Sequence, residues 1–561
     1  VSGTTPVDVD IAVIGGGING TGVLRDVTLR GLSAALFERN DLAFGASGNS
    51  SGMIHGGPRY LTDDPEVTRT SCLDSGHIQA IAPHLLFRVP FLIPIGREGT
   101  ERTRIDLVDA FFEAYDAFQP LKHGKPHARL SPDELFRIEP GLFGGSAGGA
   151  GLVGGISFDE WGIDGSRLCV ANAVDAAERG ARVHTHTNVE AILREQSGAV
   201  RGIRAKNLLT GASFVVTARA VVNATGAWST LTALAASIPA EAARVRPGKG
   251  IHVIFDRRLT NYGIIARAID GRQIFIEPWQ NVSVLGTTDD DFYGDLDDVR
   301  ATSDEVRYLV EGVANVFPAV KSARAIGTTA GVRPTLYAYG PGEDALSRDH
   351  RVVDHAKEGA PGLFSMIGGK LASYRIFAEQ MTDVLVARLE RAASPCRTHI
   401  APLPGGERTV SRRALAERLG IDAIAAARLV YRHGARSERI AERIAERPEE
   451  AHVVCTCEPV IEAEVRHVIQ KEWAATVDDV ARRTRLGLGA CGGMRCAARC
   501  GQIVAEERRL EPREGARQAL RFLARQACTR AVAVGPEQAQ QEAFSLAALR
   551  AELGPVIEEG E

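Results

Sequence analysis

The sequence predicts an α/β fold, in which a doubly wound domain is interrupted by a sheet-rich portion and followed by a helical C-terminal region. Three observations predict it. Residues 8–38 read as strand, glycine-rich turn, helix and second strand: DVDIAVIG is apolar and β-branched, GGINGTGVLRDVTLRG opens at helical spacing, and LSAALFE is a second buried run. Further on, the buried-strand runs FVVTARAVVNATG, HVIFD, VSVLGTT and LFSMIGG mix with the helical patterns of RIDLVDAFFEAYDAF and SRLCVANAVDAAERG. Beyond PLPGGE at 402–407, a stretch of linker chemistry, the chain turns to Arg/Ala/Glu-rich helices such as SRRALAERL and REGARQALRFLARQACTRAV.

These changes divide the chain into residues 1–405, a helical segment 406–449, a cysteine module 450–510 and closing helices 511–561. The 561 residues are 44% hydrophobic and 24% charged, an ordinary globular balance for several buried cores. The net charge of −4 comes from 66 basic and 70 acidic residues interspersed along the chain, which excludes a nucleic-acid footprint and a polybasic membrane arm. Five of the nine cysteines crowd between 455 and 500, a pattern that fits a reducing compartment better than a disulfide framework. VSGTTPVDVD has no basic stretch followed by an apolar core, and no run approaches the ~20 apolar residues of a membrane span, so no transmembrane segment is expected. In RIDLVDAFFEAYDAF, Val108, Phe111, Phe112 and Tyr115 share one face, but the opposite face is acidic, favouring a helix over a core rather than on a membrane.

Gly15, Gly17 and Gly20 form Gly-x-Gly-x-x-Gly between the first strand and helix, where bare backbone can approach a pyrophosphate at the positive helix end. Glu38 closes the second strand 18 residues after Gly20, where its carboxylate can accept from ribose hydroxyls, favouring FAD or NAD over a 2′-phosphorylated cofactor. Arg39 is a further cofactor-binding candidate. Ser47 and Ser50, in GASGNSSG, could donate to the pyrophosphate.

IGGGINGTGVLRDVTLRG, NSSGMIHGGPRYL, VVNATGAW and GGKLASYRIFA together resemble the FAD-dependent glycerol-3-phosphate dehydrogenases, over nearly the whole chain. The departures are Leu24, where the family usually has alanine, and Pro58 in the loop before Arg59. The resemblance implies a Rossmann-like FAD-binding domain with an inserted α+β substrate domain, and non-covalent FAD. It also implies a second cofactor turn at Thr225 and Gly226, and close backbone passage of the isoalloxazine at Gly368 and Gly369. The reaction implied is oxidation of sn-glycerol 3-phosphate to dihydroxyacetone phosphate, which needs a base, cations for the phosphate and a positive field near the flavin. By resemblance, Arg333 and Arg59 meet the phosphate and Lys370 stands close to substrate and flavin; Arg375 is a further cation in these loops. His55 and His252 are the candidate bases, since neutral imidazole can take a proton.

Cys455, Cys457, Cys491 and Cys496 form Cys-x-Cys and Cys-x4-Cys pairs separated by 33 residues, a spacing for a metal or iron-sulfur site. HVVCTCEP and RLGLGACGGMRCAARC resemble the bacterioferritin-associated ferredoxin-like [2Fe-2S] module carried by one branch of this family, with Cys-x4-Cys in place of Cys-x2-Cys and an extra Cys500. Four thiolates also suit zinc. In that branch electrons leave through the cluster to partner subunits and membrane quinone, which implies a cytoplasmic protein held peripherally at the inner face of the membrane. Two other readings keep the fold: a flavin and iron-sulfur imino-acid or opine dehydrogenase subunit, and a non-catalytic iron-sulfur relay scaffold.

Overall fold

The computed structural model describes residues 8–62, 64–96, 101–145, 152–340, 346 and 349–558. The N-terminal βαβ unit forms where the patterning predicts it. Strand β1 (Val9–Ile14), helix α1 (Ile18–Leu29) and strand β2 (Ala34–Phe37) follow in order, with β1 parallel to β2 on one side and to Ser213–Asn223 on the other. The sheet extends to Arg182–His184 at one edge and, through Leu363–Gly368, to the antiparallel strand His350–Asp354 at the other.

β1 is apolar on both faces because both are covered. Ile11 and Val13 pack against α1 and the helices Gly165–Glu178 and Tyr374–Leu389, whereas Ala12 and Ile14 pack against the antiparallel hairpin Thr187–Arg194 and Val200–Asn207. The expected doubly wound sheet, with helices on both faces, is therefore corrected: one face is helical and the other mainly β. The hairpin escaped sequence reading because its strands are only half-buried and interleave charged with apolar residues.

The inserted portion is a nine-stranded mixed sheet in which Leu86–Gly96 pairs with Leu152–Ile163 and Gly263–Arg267, followed by Gln273–Trp279, Val282–Gly286, Val245–Phe255 and Ala325–Leu336. Ile251, Val253, Ile274, Ile276 and Leu285 pack under the helix Ser303–Ala314. The helix Glu101–Asp116 covers a core, with Phe112 and Tyr115 buried beside Phe158.

PLPGGE, read as a linker, is packed into the protein. Leu403 is fully buried, and the Gly405 backbone passes so close to His433 that a Cβ there would stand 2.4 Å from the His433 carbonyl oxygen. The C-terminal helices dock on the nucleotide domain through buried ion pairs: Arg483 with Asp41 (2.6 Å) and Arg167 with Glu472 (2.5 Å). Arg530 donates to the Ile326 carbonyl (2.8 Å) and fixes the helix Pro512–Ala531 on the inserted sheet. No helix among the described residues is long and apolar enough to cross a membrane.

Candidate active site and cysteine centre

A cavity of about 720 Å³ lies between the two sheets, and Gly15, Gly17, Glu38, Arg39, Ser47, Ser50, His55, Arg59, Thr225, Gly226, Arg333, Gly368, Gly369 and Lys370 all line it. At its nucleotide end, a Cβ on Gly20 would stand 2.0 Å from the Gly15 carbonyl oxygen, so α1 can start this close to β1 only with glycine there. Glu38 accepts from the Gly16 N–H (2.7 Å) and the Asn40 N–H (2.8 Å), which fixes its carboxyl beside the turn, and burial pushes its pKa up. The Ser47 hydroxyl accepts from the Ile18 N–H at 2.9 Å, tying its loop to the first turn of α1, while that of Ser50 accepts from Gly52 at 3.3 Å. Thr225 donates to Asn223 Oδ1 (2.7 Å). Arg39 is engaged by Asp297 (3.1 Å), which also accepts from the Trp228 indole (2.9 Å).

Three cations from distant segments converge in the same cavity. Arg333, on the strand Ala325–Leu336, donates to Asp289 Oδ1 and Thr287 Oγ1, both at 3.0 Å. Arg59 reaches the other Asp289 oxygen at 4.0 Å and stacks over Tyr60, 5.0 Å from its centroid. Lys370 covers the same ring at 3.9 Å and donates to Ser71 Oγ at 3.4 Å. A short turn at Leu371–Ser373 and then the helix Tyr374–Leu389 begin immediately after Lys370, as expected. His55 faces this group, and burial, followed by Lys370, Lys122 and Arg59, holds its pKa down at about 3. The imidazole is therefore neutral at ordinary pH.

Two candidates lie elsewhere. His252 is buried and absent from the cavity lining: its Nδ1 lies 3.4 Å from Thr329 Oγ1, and its ring fills the space left by Gly286. Arg375 is turned away into a buried pair with Asp74 (2.5 Å), whose second oxygen accepts from the Arg375 and Ile376 N–H groups and so anchors the helix start.

Sequence reading missed two acids of this cavity, Asp289 between Arg59 and Arg333 and Glu160. Asp289 lies outside every glycine-rich motif. Glu160, which lines the cavity, pairs with the fully buried Lys122 (2.5 Å), accepts from Tyr115 (2.8 Å) and supports the backbone of Gly56 beside His55 (3.4 Å). Its strand, Leu152–Ile163, could have flagged it, since charge in a mostly buried run calls for a partner.

In the C-terminal region Cys455, Cys496 and Cys500 are buried in one apolar cluster, with Cys457 packed against it. The Cys496 thiol lowers the pKa of Cys455 against burial. Burial and then Cys491 and Cys455 act on Cys457, while Cys455, burial and Cys491 act on Cys496, so the four thiols form one electrostatic group. Among the described residues the one trio of His, Cys, Asp and Glu ligand atoms within 4.8 Å of one another is His433, His467 and Glu472, where Arg167 already clasps the carboxylate.

A family model described as FAD-dependent oxidoreductase matches residues 10–375, and one described as the C-terminal domain of alpha-glycerophosphate oxidase matches residues 396–514. An anaerobic glycerol-3-phosphate dehydrogenase subunit of Escherichia coli (strain K12) is 31% identical over 500 residues, covering 88% of each chain. Glycerol-3-phosphate dehydrogenase 1 of Mycobacterium bovis is 34% identical over 502 residues, 85% of this chain and 91% of that protein. Among solved structures, the glycerol-3-phosphate dehydrogenase from Bacillus halodurans complexed with FAD superposes with a TM-score of 0.71 at 25% identity, over 93% of this chain and 95% of that one. Glycine oxidase from Geobacillus kaustophilus, 22% identical with a TM-score of 0.51 over 69% of this chain and 96% of its own, shares the fold. The chain belongs to the FAD-dependent glycerol-3-phosphate dehydrogenase family.

Proposed function

We propose that the chain binds FAD in the cavity between its sheets, oxidises sn-glycerol 3-phosphate to dihydroxyacetone phosphate there, and passes the electrons through a [2Fe-2S] cluster in the cysteine module to partner subunits and membrane quinone. The observation that carries the reaction is the convergence of Arg59, Arg333 and Lys370 beside a neutral histidine in one cavity.

FAD, when bound, supplies the acceptor for the hydride leaving the carbinol carbon. The protein's part is binding, orientation and proton transfer. Gly15, Gly17 and Gly20 open the backbone to the pyrophosphate, to which Ser47 and Ser50 donate; Glu38 accepts from the ribose hydroxyls, and Arg39, Thr225 and Gly226 complete the cofactor site. Arg333 and Arg59, held toward each other by Asp289, present guanidinium groups to the substrate phosphate. His55 takes the hydroxyl proton as the hydride departs; Glu160 keeps its loop in place. Lys370 and the start of the following helix place positive charge where the reduced cofactor carries negative charge. His252 contributes to the wall behind Arg333.

Cys455, Cys457, Cys491 and Cys496 act on one another electrostatically at one end of the C-terminal region, and four thiolates there suit a [2Fe-2S] cluster, as the resemblance implies. Cys500 is buried one helical turn beyond Cys496, inside the helix Ala497–Arg508.

Anaerobic mixing of the purified protein with glycerol 3-phosphate, and separately with proline, tests the reading while flavin and cluster absorbance are followed together. Bleaching of flavin and then of cluster by the phosphate alone is expected. Reduction by proline alone would move the protein to the amine-oxidising class, and an iron-free protein would end the cluster assignment.

A further inference from the structure

The strand Gln273–Trp279 runs from the cavity to the cysteine module. Its alternate residues share a face: Gln273 and Phe275 line the cavity, Glu277 follows, and Trp279 ends the strand. Trp279 meets protein on both sides. Toward the cavity, its ring stands edge-on to Phe87 with centroids 6.1 Å apart, and its indole nitrogen lies 4.0 Å from where a Cβ on Gly52 would be. Gly52 is flanked by Ser51 and Met53, both of which line the cavity. Toward the module, the Arg485 guanidinium covers the indole at 4.0 Å and reaches the Glu458 carboxylate at 3.3 Å. Glu458 directly follows Cys457, the second residue of the Cys-x-Cys pair. Arg428 then clasps the hairpin tip, donating to Gln280 and, at 2.8 Å, to Asn281. The tip of the substrate sheet is thus gripped by the helix Ala423–His433, while Arg485 of the cysteine module covers the end of its strand.

We propose that Trp279, with Arg485 over it, is the contact through which electrons pass from the flavin cavity to the cysteine cluster. The inference rests on the cluster reading above. Electronic coupling between redox centres falls off steeply across gaps and less steeply through packed atoms, and this route steps from Gly52, which faces the Trp279 indole, to Arg485 over that ring at 4.0 Å and on to Glu458 at 3.3 Å. Oxidation of one alcohol releases two electrons and two protons. The electrons cross singly, because a [2Fe-2S] cluster accepts one at a time, and each is removed by an external one-electron acceptor. The protons pass to His55 and to solvent. Trp279 itself is neither oxidised nor reduced in the net reaction.

The test is a single-turnover experiment on the intact holoprotein, mixed anaerobically with glycerol 3-phosphate, comparing Trp279→Leu, Trp279→Met and Trp279→Tyr with the unmodified chain. Flavin bleaching is expected at an unchanged rate in all four. Cluster bleaching is expected to slow at least tenfold in the Leu and Met variants and to stay within a few-fold in the Tyr variant. Iron and sulfide content, and the electron paramagnetic resonance spectrum after direct dithionite reduction, should match the unmodified protein. Should Trp279→Leu lose its cluster, Trp279→Met, whose unbranched side chain adapts to irregular gaps, decides: cluster reduction at the unmodified rate overturns the proposal. An unmodified protein without iron overturns the cluster reading itself, a separate failure seen before any variant is made.

Discussion

Replacing Glu277 by glutamine should change how stability depends on pH. Glu277 is fully buried in the middle of its strand, and neither carboxylate oxygen has a hydrogen-bond partner, so burial alone pushes its pKa well above the ordinary value of 4.5. The folded protein keeps this proton while the unfolded chain releases it above about pH 4.5. Between those two values the folded state binds one proton more than the unfolded state, so stability declines as pH rises, by about 1.4 kcal/mol per unit. From pH 5 to pH 8 the decline reaches about 4 kcal/mol if the proton is held throughout. Glu277→Gln does not titrate and lacks this slope. Glu139, held up at about 7 by burial, contributes equally to both proteins and cancels in their difference. Urea unfolding of both holoproteins at pH 5, 6.5 and 8 measures it: the variant should gain on the parent steadily as pH rises. A difference that stays constant across the three pH values would refute a buried, protonated Glu277.

Gly20→Ala should yield protein that purifies without flavin, because the added methyl group would strike the Gly15 carbonyl at 2.0 Å; absorbance at 450 nm reads it. Asp74→Asn should cost about 1.5–3 kcal/mol in denaturant unfolding by removing one of the two carboxylates that pair with the buried Arg375, Glu379 remaining at 2.6 Å. Cys455→Ser should lose iron, whereas Cys500→Ser should retain it, as measured by metal and sulfide content. His55→Asn should slow flavin reduction by about 10²–10⁴-fold. In the unmodified enzyme, with His55 at about 3 and thus about 99% neutral at pH 5, the rate should show no loss near pH 6.5 from this group.

The parts legible in the sequence were those whose chemistry is local. Gly15, Gly17 and Glu38 line the cavity from one βαβ unit that spacing identifies, with Gly20 packed against Gly15 behind them, and Lys370, expected there by resemblance, stands in a continuous run ahead of a helix. His252 and Arg375 sit in equally suggestive runs, yet strand register turns one into the wall and a buried aspartate claims the other. Periodicity could not predict Asp289 between Arg59 and Arg333, because the three residues come from segments more than 40 positions apart. The hairpin that replaces a second helical layer was hidden for a different reason: half-buried strands carry too little apolar contrast to announce themselves.

Asp41 stands three residues beyond Glu38, the acid beside the glycine turn, and its partner Arg483 belongs to a helix 442 residues further along the chain. Both side chains are fully buried, so neither can be released cheaply. Occupancy of the nucleotide site and folding of the C-terminal helices are therefore thermodynamically linked, and the linkage is reciprocal. Cofactor should protect the distal helices from proteolysis, and trimming those helices should loosen the cofactor although none of them lines its cavity.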